Sequence, residues 1–209
     1  SSSGSSSGST SSSGSSGTSS SGTVSGGDCA TDADCNGGTC IELAPGGYKV
    51  CSKMPPEATM CQPPGPPVMD QCCTSSDCKV GKCYASTSLP YCGGPAMPLY
   101  NMFVADACAT DKDCASNGGP PQLCAPAGAW GIPARFCALA FCHTSADCGA
   151  KAGGVCEPVA NSCCSMPSGL ACVYPGGCNK DQDCGQNAHC AIGSQGEAAC
   201  KPGDVGCPL

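Results

Sequence analysis

"CATDADC" at residues 29–35 comes back as "CATDKDC" at residues 108–114, two cysteines six positions apart with aspartate before the second. The same frame begins at Cys29, Cys72, Cys108, Cys142 and Cys178, so consecutive copies lie 43, 36, 34 and 36 residues apart. Asp34, Asp77, Asp113, Asp147 and Asp183 precede the second cysteines, Cys35, Cys78, Cys114, Cys148 and Cys184. A third cysteine follows after a short polar loop (Cys40, Cys83, Cys124, Cys156, Cys190), and a fourth after a longer one (Cys51, Cys92, Cys137, Cys164, Cys200). A fixed period of this length is the mark of a repeat architecture.

Composition says what kind of repeat this is. Of 209 residues 25 are cysteine, and the only large aromatics are one Trp, five Tyr and three Phe. So few large apolar side chains cannot build a sizeable core, and units of this size are then held by disulfides. The expected fold is a tandem of small disulfide-rich modules with short helical turns, short β-strands and little hydrophobic core. The frame divides the chain into 28–71, 72–107, 108–141, 142–177 and 178–209, here modules 1 to 5, behind an arm at 1–27.

Within the heptad, Thr31/Asp34, Thr74/Asp77, Thr110/Asp113 and Thr144/Asp147 have the spacing of a shortened capping box. The threonine oxygen accepts from an amide one turn on and the acid reaches back to the threonine N–H. The fifth copy has Lys180 in place of threonine, with Asp181 as the substitute cap. Six α-helical residues rise about 9 Å, which would separate the two heptad cysteines and turn them apart. Each heptad is therefore expected to be stapled outward, most simply first to third and second to fourth, although four cysteines allow three pairings. Cys61, Cys73, Cys163, Cys172 and Cys207 fall outside the frame. Because 25 is odd, at least one sulfur has no partner within the chain, and Cys207 is the candidate for a free thiol or a bond to another chain.

Other uses of these residues are less well supported. Calcium needs several converging oxygens, whereas Asp32/Asp34, Asp111/Asp113 and Asp181/Asp183 supply only an acid pair. Thiolate metal sites use closely spaced cysteine pairs, and the chain has no Cys-x-x-Cys. No cofactor is expected, with calcium at the acid pairs kept as the weaker alternative. His143 and His189 each sit beside a cysteine that the frame uses for a bridge, so neither has a free thiolate to activate. No catalytic constellation emerges, and a non-enzyme is expected. Nine Lys and Arg against sixteen Asp and Glu, a net charge of −7, argue against nucleic acid as a partner. No apolar run approaches the length of a membrane span.

The arm contains only Ser, Thr, Gly and one Val. Its hydroxyls are candidates for O-glycosylation: Ser1, Ser2, Ser3, Ser5, Ser6, Ser7, Ser9, Thr10, Ser11, Ser12, Ser13, Ser15, Ser16, Thr18, Ser19, Ser20, Ser21 and Thr23. "CQPPGPPVMDQCC" at 61–73 reads as an extended proline-rich strut. "PAMPLYNMFVADAC" at 95–108 is the most apolar stretch, readable as a strand between modules or a sticky segment.

"CATDADCNGGTC" and "CCTSSDCKVGKC" resemble the Dickkopf N-terminal cysteine-rich region over about a dozen residues per copy. They are also similar to part of the whey-acidic-protein inhibitor core, and "KPGDVGCP" at 201–208 looks like the opening of such a domain. A Ser/Gly tract followed by such repeats resembles the architecture of secreted bacterial surface proteins. The resemblance implies a secreted or surface-displayed protein, as does cysteine at this density. Two functions compete. One is a structural subunit, five modules in a quasi-linear rod, polymerising with copies of itself and carrying glycans. The other is a binding or protease-inhibitory module, presenting "CIELAPGGYKVC" at 40–51 or "CAPAGAWGIPARFC" at 124–137, the latter with Trp130, Ile132 and Arg135 as anchors.

Overall fold

The computed structural model describes residues 27–61, 70–85, 100–115, 119–160 and 167–203. The hydroxyls of the arm and most of the proline-rich strut lie outside these residues. The described segments form five antiparallel hairpins, each preceded by one 3-10 turn from its heptad, with no α-helix among the described residues. The strands are β1 (Thr39–Glu42) with β2 (Lys49–Ser52), β3 (Lys82–Ala85) with β4 (Asn101–Val104), and β5 (Gln122–Ala125) with β6 (Phe136–Leu139). The last two pairs are β7 (Val155–Ala160) with β8 (Pro167–Val173), and β9 (Ala188–Ile192) with β10 (Ala198–Pro202). The heptad turns are Asp32–Cys35, Ser75–Asp77, Asp111–Cys114, Ser145–Cys148 and Asp181–Asp183. The fold is thus a tandem of small disulfide-rich units, as composition required. The apolar stretch before module 3 supplies β4, which completes the hairpin of module 2 rather than linking two modules.

The interior is mostly cysteine and alanine. Leu43, Val50, Leu123, Val159 and Leu170 are the branched aliphatics buried among the described residues. A typical bridge contributes ~2–4 kcal/mol, as much as burying a whole leucine side chain at ~1.5–3 kcal/mol. A lone two-stranded hairpin is marginal in water, so the bridges set the limit of stability.

The modules do not stand in a row. Leu43 and Val50 of module 1 share one core with Leu123, Ala125, Ala129, Ala138 and Ala140 of module 3 and with Cys142, Cys148, Cys156, Leu170 and Cys172 of module 4. Val159 and Ala171 of module 4 continue into a second cluster with Cys178, Cys190 and Ala198 of module 5. Backbone bonds seal both contacts: Phe141 N–H to Leu170 O at 2.9 Å, and Cys172 N–H to Gly196 O at 2.8 Å. Ala58, near the end of module 1, forms a separate small cluster with Cys72 and Cys83 of module 2, sealed by Ala58 N–H to Cys83 O at 2.9 Å. Module 1 thus bonds its sequence neighbour through its last residues, with Cys61 joined to Cys73, and also packs on modules 3 and 4, a contact that a row of modules touching only their neighbours would not make.

Candidate functional site, the stapled turn

Each heptad is organised by its fixed acid. Oδ2 of Asp34 accepts from Thr31 N–H at 2.8 Å and Ala30 N–H at 2.9 Å. Asp77, Asp113 and Asp147 repeat this with Thr74 and Cys73, Thr110 and Ala109, and Thr144 and His143, all at 2.8–2.9 Å. These amide bonds hold the four carboxyls below the usual aspartate range. The threonine hydroxyl donates to the same oxygen at 3.2–3.5 Å. The amide of the acid residue itself bonds to the threonine carbonyl and closes the 3-10 turn.

The fifth copy separates acid from threonine. Lys180 offers no side-chain acceptor, yet Asp183 still takes Asn179 N–H at 3.0 Å and Lys180 N–H at 3.2 Å. The acid alone is enough to form the turn. Asp181, the residue offered as a substitute cap, accepts through Oδ1 from Cys190 N–H at 2.8 Å, outside the turn.

That bond belongs to a second acceptor position, which spacing alone did not reveal. Asp32 accepts from Cys40 N–H, Ser75 from Cys83 N–H, Asp111 from Cys124 N–H and Ser145 from Cys156 N–H, at 2.8–3.2 Å. In every copy the residue three after the first cysteine docks the turn onto the amide of the third cysteine. Its signal is present in the sequence, since that position is Asp or Ser five times out of five. The two acids of an Asp-x-Asp pair therefore serve different backbone groups, one inside the turn and one on the hairpin.

The bridges follow. Cys29 bonds Cys40 and Cys35 bonds Cys51; Cys108 bonds Cys124 and Cys114 bonds Cys137; Cys178 bonds Cys190 and Cys184 bonds Cys200. Their Cα atoms lie 5.1–5.9 Å apart. Cys72 bonds Cys83 and Cys142 bonds Cys156 in the same first-to-third way. Third and fourth cysteines are cross-strand partners, as Cys40↔Cys51, Cys124↔Cys137 and Cys190↔Cys200. Each turn is thereby fastened to both strands of its hairpin.

Module 4 departs from the expected frame. Cys148 bonds Cys172, not Cys164, because the hairpin is longer and Cys172 is the residue opposite Cys156. Cys164 falls between the two strands, outside the described residues together with Cys92, Cys163 and Cys207. In module 2 the residue opposite Cys83 is Phe103. Cys78 is unpaired among the described residues, and Cys73 bonds Cys61, so two cysteines outside the frame join each other.

The heptad cysteines are also closer than an α-helical heptad would allow. In modules 1, 3, 4 and 5 the sulfurs of the first, second and last bridge cysteines lie within 4.8 Å of one another. One short 3-10 turn does not carry the second sulfur away from the first as two turns of α-helix would.

Both loops considered for binding touch other modules in part, with Pro45, Gly46 and Arg135 left exposed. Leu43, Ala44 and Gly47 are buried, and a Cβ on Gly47 would overlap the His143 carbonyl oxygen of module 4. Trp130, at φ 52°, packs against the shared core with its ring 5.7 Å from Phe136. Buried Ser52 of module 1 donates to Gly128 O and accepts from Gly131 N–H at 2.9 Å, gripping the same loop. Ile132 is half-buried, and Arg135 bonds back to Ala109 O at 3.3 Å.

No protein-family model, curated protein or solved structure matches the chain. What the structure itself defines is a set of small cysteine-rich, strand-rich modules whose many disulfides fit an oxidising, extracellular setting. No helix among the described residues is long and apolar enough to cross a membrane.

Proposed function

We propose that the chain is an extracellular structural protein, a disulfide-stapled repeat subunit of a cell-surface or secreted fibre or coat. The observation that carries this reading is the inward use of the loops between bridges. In modules 1 and 3 these loops supply core residues and hydrogen bonds to neighbouring modules, so the modules are spent on building one body. A protease inhibitor holds such a loop out for its partner instead. The likeness of the heptads to Dickkopf and whey-acidic-protein segments is, on this reading, a likeness of the stapled turn. The arm contributes a hydroxyl-rich extension with O-glycans, and the odd cysteine contributes a covalent link between copies.

The test is electrophoresis of secreted material with and without reductant. A ladder that collapses on reduction is the expected result, and a clean monomer under both conditions overturns the reading. Hexose additions on the peptide spanning 1–27 are expected by mass spectrometry, and an unmodified mass removes the glycan part.

A further inference from the structure

The bridges differ sharply in burial. In module 4 Cys142, Cys148, Cys156 and Cys172 are only 1–8% exposed, inside the shared core. In modules 1 and 5 the second bridge ends on an exposed residue, Cys51 or Cys200, and its other half, Cys35 or Cys184, is half-buried. In both modules that accessible bridge lies against a third sulfur, Cys29 or Cys178, within 4.8 Å of both its atoms. We propose that Cys35–Cys51 and Cys184–Cys200 are exchangeable disulfides, sites at which an external thiolate forms a mixed disulfide on Cys51 or Cys200. This rests on the structural reading and deepens it by naming where such a subunit takes a covalent partner.

The chemistry balances without a net oxidant. A thiolate attacks the sulfur of Cys51, forms one S–S bond, and expels Cys35 as a thiolate that stays available for attack, with a proton taken from water only by the last thiolate released. The released Cys35 sulfur sits within 4.8 Å of Cys29, so its next attack is intramolecular, on Cys29–Cys40, expelling Cys40. Exchange begun at the surface thus passes inward through the stacked pair. The same steps run in module 5 through Cys184 and Cys178. Access governs the rate at each bridge, and packing of the shared core closes that access in module 4. Cys61–Cys73, which joins modules 1 and 2 with Cys61 exposed, opens too, but no third sulfur is clustered with it among the described residues.

The attacking thiolate comes from a small thiol or from a cysteine of a second copy, and two arms distinguish them. In the first, native protein is exposed to glutathione, quenched by alkylation over a time course, and mapped by peptide mass spectrometry. Adducts on Cys51 and Cys200 should appear on the order of tenfold faster than any opening of Cys142–Cys156 or Cys148–Cys172. Alkylated Cys40 and Cys190 should follow them. Equal rates in modules 1, 4 and 5, or adducts first in module 4, overturn the proposal. In the second arm concentrated protein is incubated without added thiol, and crosslinked peptides containing Cys51 or Cys200 mark the second copy as the source. Because adduct order is read on monomer, the proposal fails or stands separately from whether secreted material forms a ladder.

Discussion

Modules 2 and 4 begin with the same device and finish it differently. Both have the acid-closed turn and a first-to-third bridge. In module 4 the paired strands are six and seven residues long and bring Cys172 opposite Cys156, where Cys148 reaches it within the core. In module 2 the matching position is Phe103, 42% exposed, and Cys78 finds no partner among the described residues. The second heptad cysteine thus bonds whatever cysteine faces the third across the hairpin. Strand register assigns the bridge, and the order of cysteines along the chain does not.

The most damaging way to test that rule is at Cys172. Cys172→Ser should cost about 2–5 kcal/mol of unfolding free energy, in the range for loss of a native bridge in a small unit, and it also removes a residue of the shared core. Denaturant unfolding of purified protein measures it. If Cys164 were the true partner, Cys172→Ser would be nearly silent and Cys164→Ser would carry the loss.

The complementary change puts a cysteine opposite Cys83 in module 2. Phe103→Cys places a thiol where Cys51, Cys137, Cys172 and Cys200 stand in the other hairpins, and peptide mapping should find it bonded to Cys78. The gain is at most about 2–4 kcal/mol, since engineered bridges often deliver less than native ones. A thiol at 103 that stays free, or bonds elsewhere, breaks the rule that register assigns the bridge.

These two modules also show what can be read from the chain and what cannot. Modules, turns and the first-to-third bridges follow from local spacing, because a heptad and its next cysteine are close in sequence. Spacing misassigns the fourth cysteine of module 4, because hairpin length is set by strand pairing and the nearer Cys164 looks sufficient. The shared core is not legible at all. Its contacts join residues such as Ser52 and Gly128, 76 positions apart, and small residues like Gly47 and Ala129 carry no signal of what they will touch. The second acceptor position is legible in principle, but in the sequence Asp32 and Asp111 stand out only as neighbours of the turn acids in Asp-x-Asp pairs.

The contact between modules 1, 3 and 4 can be weakened without touching a cysteine. Gly47→Ala drives a methyl into the His143 carbonyl, and overpacking of this kind costs about 1–3 kcal/mol. Ser52→Ala removes the hydroxyl that bridges Gly131 N–H and Gly128 O, which keep their own bond to each other at 3.0 Å, so the cost is the net one of a lost hydrogen bond, about 0.5–1.5 kcal/mol. Both should lower the melting temperature with every bridge intact by peptide mapping. Unchanged melting would mean that modules 1, 3 and 4 are held by their bridges individually and gain nothing from the common core.

The smallest effect is on pH, and its sign follows from the turn acids. Asp34, Asp77, Asp113 and Asp147 are held below the ordinary carboxylate range by amide donors that exist only in the folded turn. Unfolded aspartates titrate near about 3.9, so below that value the unfolded chain binds protons that the folded turns refuse. Stability from these groups is fully present above about pH 4 and falls away as pH drops through the lower folded values. Melting temperature should therefore decline on acidification below about pH 4, while changing little with these groups above it. Asp147→Asn keeps an amide acceptor but no titrating charge, so its acid decline should be shallower than the parent's. All four carboxyls are largely exposed and screened by solvent, and the bridges keep the modules closed after the turns loosen. Acid should thus soften the turns before it separates the shared core, and simultaneous loss of both would show that turn and core are one cooperative unit.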